Sequence, residues 1–328
     1  MNTKRKTILI IGAGISSQVF MSNLDTDNYN VIVVDKKDEE CFYESVDDVP
    51  FYFNKKIVNL NVKYIEINVE MRIYDGNEMY SSGNLELSEK YSQKILGRKC
   101  GNTIKFLEKN KKAYVISFDG KMGRKMLLNQ FLMKNNKQCN YIFNRSVQRI
   151  KLNEKSVILS DGVKINYDYL ISTIPLNFFM NIIDIKLCDL FYKPFYICII
   201  DGLETIEYKV IYCVDSDIRM NRIAHLGSSI FIESPIDFDI TNLTYKEQKF
   251  LNNFIDYSDI QKYNIKKNVV FPGRFEQLND YNHNNITNFL RKNNVFLLGR
   301  MANWRFKLIE DIFDDSKKIV EEIINETD

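Results

Sequence analysis

The sequence has few of the residues that many enzymes use for catalysis and metal binding. It contains only two histidines among 328 residues, which leaves little material for a Ser-His-Asp relay or a histidine-ligated zinc centre. Its six cysteines are scattered and form no Cys-x-x-Cys pair, so neither a clustered metal site nor a disulfide framework is indicated. We therefore expect no metal, and free thiols in a reducing cytoplasm.

Charge and hydrophobic patterning argue against two further classes of protein. The 45 lysines and arginines nearly balance the 43 aspartates and glutamates and are dispersed, so no nucleic-acid surface is indicated. No apolar stretch approaches the roughly 18 residues that a membrane span needs. The short apolar run after the basic N-terminus passes into a glycine turn rather than a signal-peptide cleavage region. We expect a cytoplasmic protein that acts on a small molecule and is able to form a homo-oligomer.

What the chain does contain is a βαβ pattern at its start. An apolar run at residues 8–11 leads into Gly12-Ala13-Gly14-Ile15-Ser16-Ser17, and a second apolar run at residues 31–34 ends on Asp35. Strand, glycine turn, helix, strand and acidic residue in this order are typical of a dinucleotide-binding unit. The simpler alternative is a glycine turn in a parallel α/β domain that binds no cofactor.

Each residue of this pattern has a physical role in dinucleotide binding. Gly12 allows the sharp turn, and Gly14 allows a pyrophosphate to approach the main chain at the start of a helix. Ser17 is small enough for close packing of the helix on the strand. The carboxylate of Asp35, which Lys36 follows, would accept hydrogen bonds from the adenosine ribose and disfavour a 2′-phosphate. FAD or NAD therefore fits better than NADP, and no second Gly-x-Gly-x-x-Gly motif indicates a separate NAD(P)H domain.

Four segments carry a resemblance to a known family. They are the glycine turn with Asp35, the strand-like residues 167–176, the segment Gly-Arg-Met-Ala-Asn-Trp-Arg-Phe at residues 299–306 with the helix start after it, and Tyr-Ser-Gln-Lys-Ile-Leu-Gly at residues 91–97. Together they resemble the flavoprotein group that holds amine oxidases, protoporphyrinogen oxidase and UDP-galactopyranose mutase. Two features depart from the mutases: Leu96 replaces their tryptophan, and residues 49–54 lack their glycine-rich loop with a histidine.

The resemblance implies an α/β fold with a discontinuous Rossmann-type domain and non-covalently bound FAD. Residues 1–56, 123–178 and 266–328 would form the FAD-binding domain. Residues 57–122 and 179–265 would form a smaller substrate domain around a mixed or antiparallel sheet.

The resemblance also implies a set of cofactor contacts. Val147 would present its main chain to the adenine, and Arg300 would lie near the pyrophosphate or the ribityl chain. A helix starting near Ile309 and Glu310 would point its N–H groups at the N1/O2 edge of the flavin, where a helix N-terminus stabilises negative charge. The predicted cofactor-binding residues are Gly12, Gly14, Ile15, Ser16, Ser17, Asp35, Lys36, Val147, Gly299, Arg300, Ile309 and Glu310.

The substrate site is less well defined by the sequence. Tyr91, Lys94 and Trp304 are candidate substrate contacts, although burial explains an aromatic residue and solvation a lysine equally well. Lys193 could be held near the flavin, as in some amine oxidases. No catalytic acid, base or nucleophile is identified.

Three functions remain open at this point. The first is an FAD-dependent oxidoreductase of the amine-oxidase-like class, in which flavin N5 accepts a hydride from a small-molecule substrate. The second is a mutase-like isomerase that uses reduced flavin on a nucleotide sugar; it predicts at least two arginines facing the substrate diphosphate, with Arg98, Arg222 and Arg274 as candidates. The third is a flavin- or nucleotide-binding module without catalytic activity.

Overall fold

The structure is a computed structural model that describes residues 5–38, 54, 56, 64–99, 104, 110–116, 139–185, 189–204 and 206–326. Residues 49–54 are the segment that lacks the mutases' glycine-rich loop, and residues 49–53 of it lie outside the described residues. In the part described, no helix is both long and apolar enough to cross a membrane.

The described residues form strands and helices throughout the chain. The strands are β1 (Lys6–Ile11), β2 (Tyr29–Val34), β3 (Tyr64–Asp75), β4 (Glu78–Tyr80), β5 (Asn110–Ile116), β6 (Cys139–Ile142), β7 (Val147–Lys151), β8 (Ser156–Leu159), β9 (Lys164–Asn166), β10 (Tyr169–Ser172), β11 (Tyr192–Asp201), β12 (Glu207–Cys213), β13 (Arg222–Gly227), β14 (Ser229–Ser234), β15 (Asn264–Phe275) and β16 (Val295–Leu297). The α-helices are α1 (Ile15–Asn23), α2 (Leu85–Leu96), α3 (Leu176–Ile182), α4 (Tyr245–Leu251), α5 (Asp280–Arg291), α6 (Arg300–Asn303) and α7 (Ile309–Asn325).

A five-stranded parallel sheet in the order β16-β10-β1-β2-β6 carries the glycine turn. Its strands are mainly apolar because both faces are covered, as is usual for parallel sheets. Helices α1 and α7 bury one face, including Ile8 and Val31. The three-stranded sheet β7-β8-β9 and helices α3 and α5 bury the other, including Leu9 and Leu170. The carboxyl ends of the parallel strands therefore meet at one edge.

A second, eight-stranded mixed sheet runs in the order β15-β11-β14-β13-β12-β3-β4, and β5 pairs with the first part of β3. Its pairings are antiparallel except for that of β12 with β3. Helix α4 packs on one face through Phe250 and Leu251, and α2 covers one end through Leu87, Tyr91 and Ile95. A parallel sheet joined to a mixed sheet confirms the predicted α/β fold class.

One boundary differs from the sequence-based division into domains. Strand β15 pairs with β11 as far as Phe275, so the chain stays in the mixed sheet beyond the boundary expected at residue 266. The register of a long edge strand depends on its partner, which local sequence does not specify. The division into two domains otherwise remains a prediction.

Candidate functional site

The glycine turn is held in place by contacts that explain both glycines. Gly12 has a φ of +93°, and a β carbon there would lie 2.5 Å from Oγ1 of Thr173. That hydroxyl donates to the carbonyl oxygens of Ile11 and Gly12. Gly14 is different, because a β carbon on it would meet no atom within 4 Å. Gly12 is therefore required by the fold, whereas Gly14 leaves open space at the start of α1.

The start of α1 is suited to an anion. No side chain caps the helix at Gly14, and no acidic residue lies in its first turn. Uncapped N–H groups and the helix dipole favour a phosphate at such a position. The predicted contacts Ile15 and Ser16 are partly exposed here, while Ser17 is buried and its hydroxyl donates to the Gly14 carbonyl oxygen at 2.5 Å. The open space and the uncapped helix fit the pyrophosphate of a dinucleotide.

Asp35 lies at the carboxyl end of β2 and holds the turn from the side. Its Oδ2 accepts a hydrogen bond from the Ala13 amide at 2.7 Å, and its Oδ1 accepts one from the Lys37 amide at 2.9 Å. Each carboxylate oxygen can accept a further hydrogen bond, so Asp35 can also bind a ribose hydroxyl that donates to it. Asp35 thus has a structural role that the sequence pattern did not reveal.

Lys36 and Val147, both predicted cofactor contacts, lie next to the junction between the end of β2 and the loop before β7. Lys36 is exposed. The main chain of residues 35–37 is bonded to the loop before β7, since the Asn144 amide donates to Lys37 and the Arg145 amide donates to Asp35. Val147 begins β7 two residues after this junction, and a register shift follows it. These contacts place the start of β7 beside the carboxyl end of β2.

Gly299 brings the last parallel strand to the same edge. Its φ is +105°, and a β carbon on it would lie 2.5 Å from Oγ of Ser16. The buried side chain of Asn303 fixes this turn by donating to the carbonyl oxygens of Leu297 and Gly299 at 3.0 and 3.1 Å. The predicted contacts Ser16 and Gly299 are therefore neighbours in space.

Arg300 follows this turn and lies against aromatic rings. Its guanidinium carbon is 5.3 Å from the ring centroid of Phe275 and 5.2 Å from that of Phe306. Such distances allow cation–π attraction. The position of Phe275 at the end of β15 places Arg300 between the two sheets.

Helix α7 begins at Ile309, as expected, but carries its own negative charges. Asp311 accepts a hydrogen bond from the Leu308 amide at 2.8 Å, and buried Glu310 accepts one from the Asn54 amide at 2.8 Å. The carboxylates already occupy the positive end of the helix dipole. This finding weakens the expectation that α7 stabilises an anionic flavin edge.

One face of the mixed sheet holds a row of charged and aromatic residues, which we call the arginine row. It consists of Arg274 on β15, Phe195 on β11, Glu233 on β14, Arg222 on β13 and Tyr212 on β12. Glu233 is 5% exposed and forms ion pairs with both arginines. The guanidinium carbon of Arg274 lies 4.6 Å from the ring centroid of Phe195, and that of Arg222 lies 5.9 Å from the ring centroid of Tyr212.

The arginine row carries more positive than negative charge. Burial raises the pKa of Glu233, but the charges of Arg222 and Arg274, and more weakly that of Arg300, outweigh it, so the pKa of this carboxyl is lowered. Glu233 is therefore ionised at neutral pH. Three guanidinium groups acting on one carboxylate make this region attractive to an anion.

Two of the three arginines named from the sequence converge in this row, and one does not. Arg222 and Arg274 share Glu233. Arg98 instead pairs with Glu276 and stacks on the Phe191 ring, 3.8 Å from its centroid. Sequence reasoning missed Glu233. The available signal was an acidic residue directly after the apolar run Ile-Phe-Ile at residues 230–232.

The predicted substrate contact Tyr91 is buried beneath the arginine row. It is 1% exposed, stacks edge-on against Tyr212 and accepts a hydrogen bond from Nδ2 of Asn221 at 2.9 Å. Burial raises its pKa to about 12, so the phenol stays neutral. Tyr91 packs under the site and has no surface for direct contact with substrate.

Lys94 is held by the protein, and Lys193 lies near Gly97. The ammonium group of Lys94 donates to the carbonyl oxygens of Asp215 and Met220 at 2.7 and 2.8 Å, and burial lowers its pKa. Lys193 lies with Nζ 2.8 Å from the position of a β carbon on Gly97. Lys94 therefore fixes the loop before β13 rather than facing a ligand.

Trp304 is a core residue in this structure. It is 0% exposed and packs against Tyr192 and Phe275, with centroid distances of 5.6 and 5.0 Å. Its ring has no surface from which to stack on a substrate, contrary to the expectation from the sequence. Burying the large apolar surface of an indole against these aromatic rings stabilises the fold.

The fold defines a class: a two-sheet α/β protein in which a Rossmann-type parallel sheet adjoins a mixed sheet. The same architecture is present in a crystal structure of reduced UDP-galactopyranose mutase, with a TM-score of 0.70 and 10% sequence identity over 98% of this chain and 94% of that chain. The PF1083 protein from Pyrococcus furiosus is similar at a TM-score of 0.52 and 11% identity, over 97% of each chain. At these identities the likeness establishes the fold alone.

Sequence comparisons add no relative to these structures. No protein-family model matches the chain. No curated protein matches its sequence.

Proposed function

We propose that this protein binds FAD at the glycine turn and acts on a nucleotide sugar at the arginine row, as a flavin-dependent isomerase of the mutase kind. The observation that carries the proposal is the convergence of Arg222 and Arg274 on Glu233 within electrostatic range of Arg300. Arg300 directly follows the turn that contacts Ser16. The anion-attracting row thus adjoins the edge that suits a dinucleotide.

The cofactor part of the proposal is supported by the open space at Gly14, the uncapped start of α1 and the carboxylate of Asp35. Ser16 and Gly299, which are neighbours in space, would complete the same edge. Reduced flavin would supply a nucleophilic N5 atom or, in an oxidoreductase, the oxidised ring would accept a hydride. The chain itself supplies binding and orientation.

The residues of the arginine row would bind and orient the substrate. Guanidinium groups donate paired hydrogen bonds to phosphate oxygens, so Arg222 and Arg274 suit a diphosphate. Buried Tyr91 and Asn221 support the row from below through their 2.9 Å hydrogen bond. Fixing the diphosphate would hold the attached sugar toward the cofactor edge, and such positioning accelerates a reaction.

The oxidoreductase hypothesis uses the same cofactor edge but gives the arginine row no part in catalysis. It remains a prediction, as does the hypothesis of a binding module. The mutase hypothesis differs from these two in giving the arginines paired on Glu233 a role in turnover.

The test begins with the visible absorption spectrum of the purified protein and the identity of any nucleotide released by heat. We then expect UDP-galactopyranose to be isomerised after dithionite reduction and not by the oxidised protein. Arg274→Met should abolish this activity, whereas Arg219→Met, which removes an arginine whose partner is Glu247, should not. A protein that binds no FAD after incubation with it, or turnover without reduction, would overturn the proposal.

A further inference from the structure

Lys193 lies on the same face of the mixed sheet as the arginine row. It is directly opposite Arg274 in the antiparallel pairing of β11 with β15, and residues paired in this way share a face. The guanidinium group of Arg274 lies against Phe195, which follows Lys193 by two positions on β11 and so faces the same side. The adjacent residue Tyr192 faces the other side, where its ring contacts Trp304. Lys193 thus extends the arginine row at the start of β11.

Lys193 and Arg274 are a pair of like charges, and like charges in directly opposite positions destabilise a sheet. Arg274 forms an ion pair with Glu233. The acidic residue two positions after Arg274, Glu276, is paired with Arg98. In the part of the chain that the structure describes, Lys193 makes no hydrogen bond or ion pair. Its ammonium group is therefore available to an anion from outside the protein.

The position of the ammonium group is set by the end of α2. A β carbon on Gly97, which follows α2 and has a φ of +78°, would lie 2.8 Å from Nζ of Lys193. The lack of a side chain at Gly97 leaves room for the ammonium group, and Lys193 is partly buried there. The carbonyl end of a helix attracts a cation, so stabilising α2 is an alternative role for Lys193.

The start of β11, where Lys193 lies, is the part of this face that adjoins the cofactor edge. The residue before Lys193 is paired with Phe275, and the guanidinium carbon of Arg300 lies 5.3 Å from the Phe275 ring centroid. Glu233 instead lies opposite Ile197, four positions further along β11. A diphosphate bound to the row with its sugar toward the cofactor edge would therefore bring its sugar-bearing phosphate toward Lys193.

We infer that Lys193 binds the phosphate that carries the sugar, as a third cationic contact beside Arg222 and Arg274. This inference rests on the proposed function and deepens it by assigning one phosphate of the substrate to one side chain. An ammonium group has three N–H donors and a positive charge, so it suits the oxygens of a phosphate. A bound phosphate would also offset the repulsion between Lys193 and Arg274.

The experiment compares the dissociation constants of UMP and UDP by calorimetry at pH 8, with FAD present. UDP has a phosphate at the position of the sugar-bearing phosphate, and UMP does not. Lys193→Met should weaken UDP binding by roughly tenfold, because a charge-assisted contact is lost, and should change UMP binding by less than about twofold. Lys266→Met is the control: it removes another lysine of the mixed sheet, paired with Asp201, and should leave both constants within about twofold of the wild-type values.

The stability of the nucleotide-free protein separates phosphate binding from a structural role at α2. Removing one cation of a like-charged pair should leave the denaturation midpoint unchanged or higher, whereas removing a contact that stabilises the helix would lower it. Lys193→Gln, which keeps a polar end group, gives the same comparison if Lys193→Met does not fold. Equal losses for UMP and UDP, undiminished UDP affinity, or a lower midpoint in both variants would overturn the inference and leave the proposed function intact. A wild-type protein that binds neither nucleotide would overturn both.

Discussion

Gly299 and Ser16 are in contact: a β carbon on Gly299 would lie 2.5 Å from the Ser16 hydroxyl oxygen. The contact joins the turn after β16 to the first turn of α1. Since Gly299 also has a φ of +105°, both space and backbone conformation require glycine there.

Gly299→Ala should destabilise the fold. An alanine at this φ of +105° and ψ of 165°, a backbone region that essentially only glycine adopts, costs about 1–3 kcal/mol, and the overlap with Ser16 adds about 1–3 kcal/mol. Guanidinium denaturation measures the free energy of unfolding. Gly202→Ala separates the two effects, because Gly202 has a φ of +88° but no atom within 4 Å of a β carbon. An equal loss in both variants would mean that the contact with Ser16 contributes nothing.

Gly14→Ala should leave the stability of the fold intact and weaken FAD binding. Gly14 has a φ of −65° and open space in front of it, so alanine fits without strain. We expect unchanged or slightly higher stability, by about 0.4–1 kcal/mol, from the reduced entropy of the unfolded chain. The added methyl group would occupy the space proposed for the pyrophosphate and weaken FAD binding by roughly tenfold or more. Undiminished FAD affinity, measured by fluorescence titration of the apoprotein, would contradict the proposed cofactor position.

Glu247 should make the protein sensitive to acid. Burial raises the pKa of this carboxyl, but hydrogen bonds from Arg219 and from the Thr244 and Arg219 amides outweigh it and lower the pKa to about 2. Because the unfolded chain binds the proton more tightly, the stabilisation is complete above about pH 4.5 and is lost as pH falls toward 2.

The size of this effect is about 3 kcal/mol by proton linkage. Urea denaturation between pH 7 and pH 3 should show a steeper loss of stability in the wild type than in Glu247→Gln, which has no carboxyl to titrate. Glu66→Gln, at an exposed glutamate on β3, should retain the wild-type slope. Parallel curves for the wild type and Glu247→Gln would show that another group governs acid unfolding.

Tyr91→Phe keeps the buried ring but removes its hydroxyl group, and it should reduce the free energy of unfolding. The phenol oxygen accepts the hydrogen bond from Asn221, and its loss leaves a buried amide group unpaired, at a cost of about 1–3 kcal/mol. Tyr245→Phe, at a tyrosine that is 81% exposed, is the control and should be neutral. If thermal unfolding of the two variants coincides, the hydrogen bond to Asn221 is not a supporting element of the site.

The sequence predicts the local part of this structure well. The order of apolar run, glycines and acid in residues 8–35 is enough to anticipate β1, α1 and β2, because each signal acts within a few residues. Helix α7 follows from its apolar periodicity in the same way. The predicted fold class is confirmed by the parallel sheet and the mixed sheet that the structure contains.

The sequence predicts the candidate site only in part. Whether Tyr91 and Trp304 face a ligand or the core depends on which strands lie beside them, and residue type alone does not decide this. Glu233 has meaning only beside Arg222 and Arg274, and Arg274 reaches it from a strand whose register is set by distant pairing. Long-range strand order is the information that was missing.

The order of strands in the parallel sheet has a consequence for biosynthesis. β1 and β2 leave the ribosome early, but β1 pairs with β10, and β10 pairs with β16, near the other end of the chain. Non-local pairing of this kind slows folding and leaves apolar strands exposed meanwhile. The pair formed by β1 and β2 can therefore complete its sheet only after most of the protein has been synthesised.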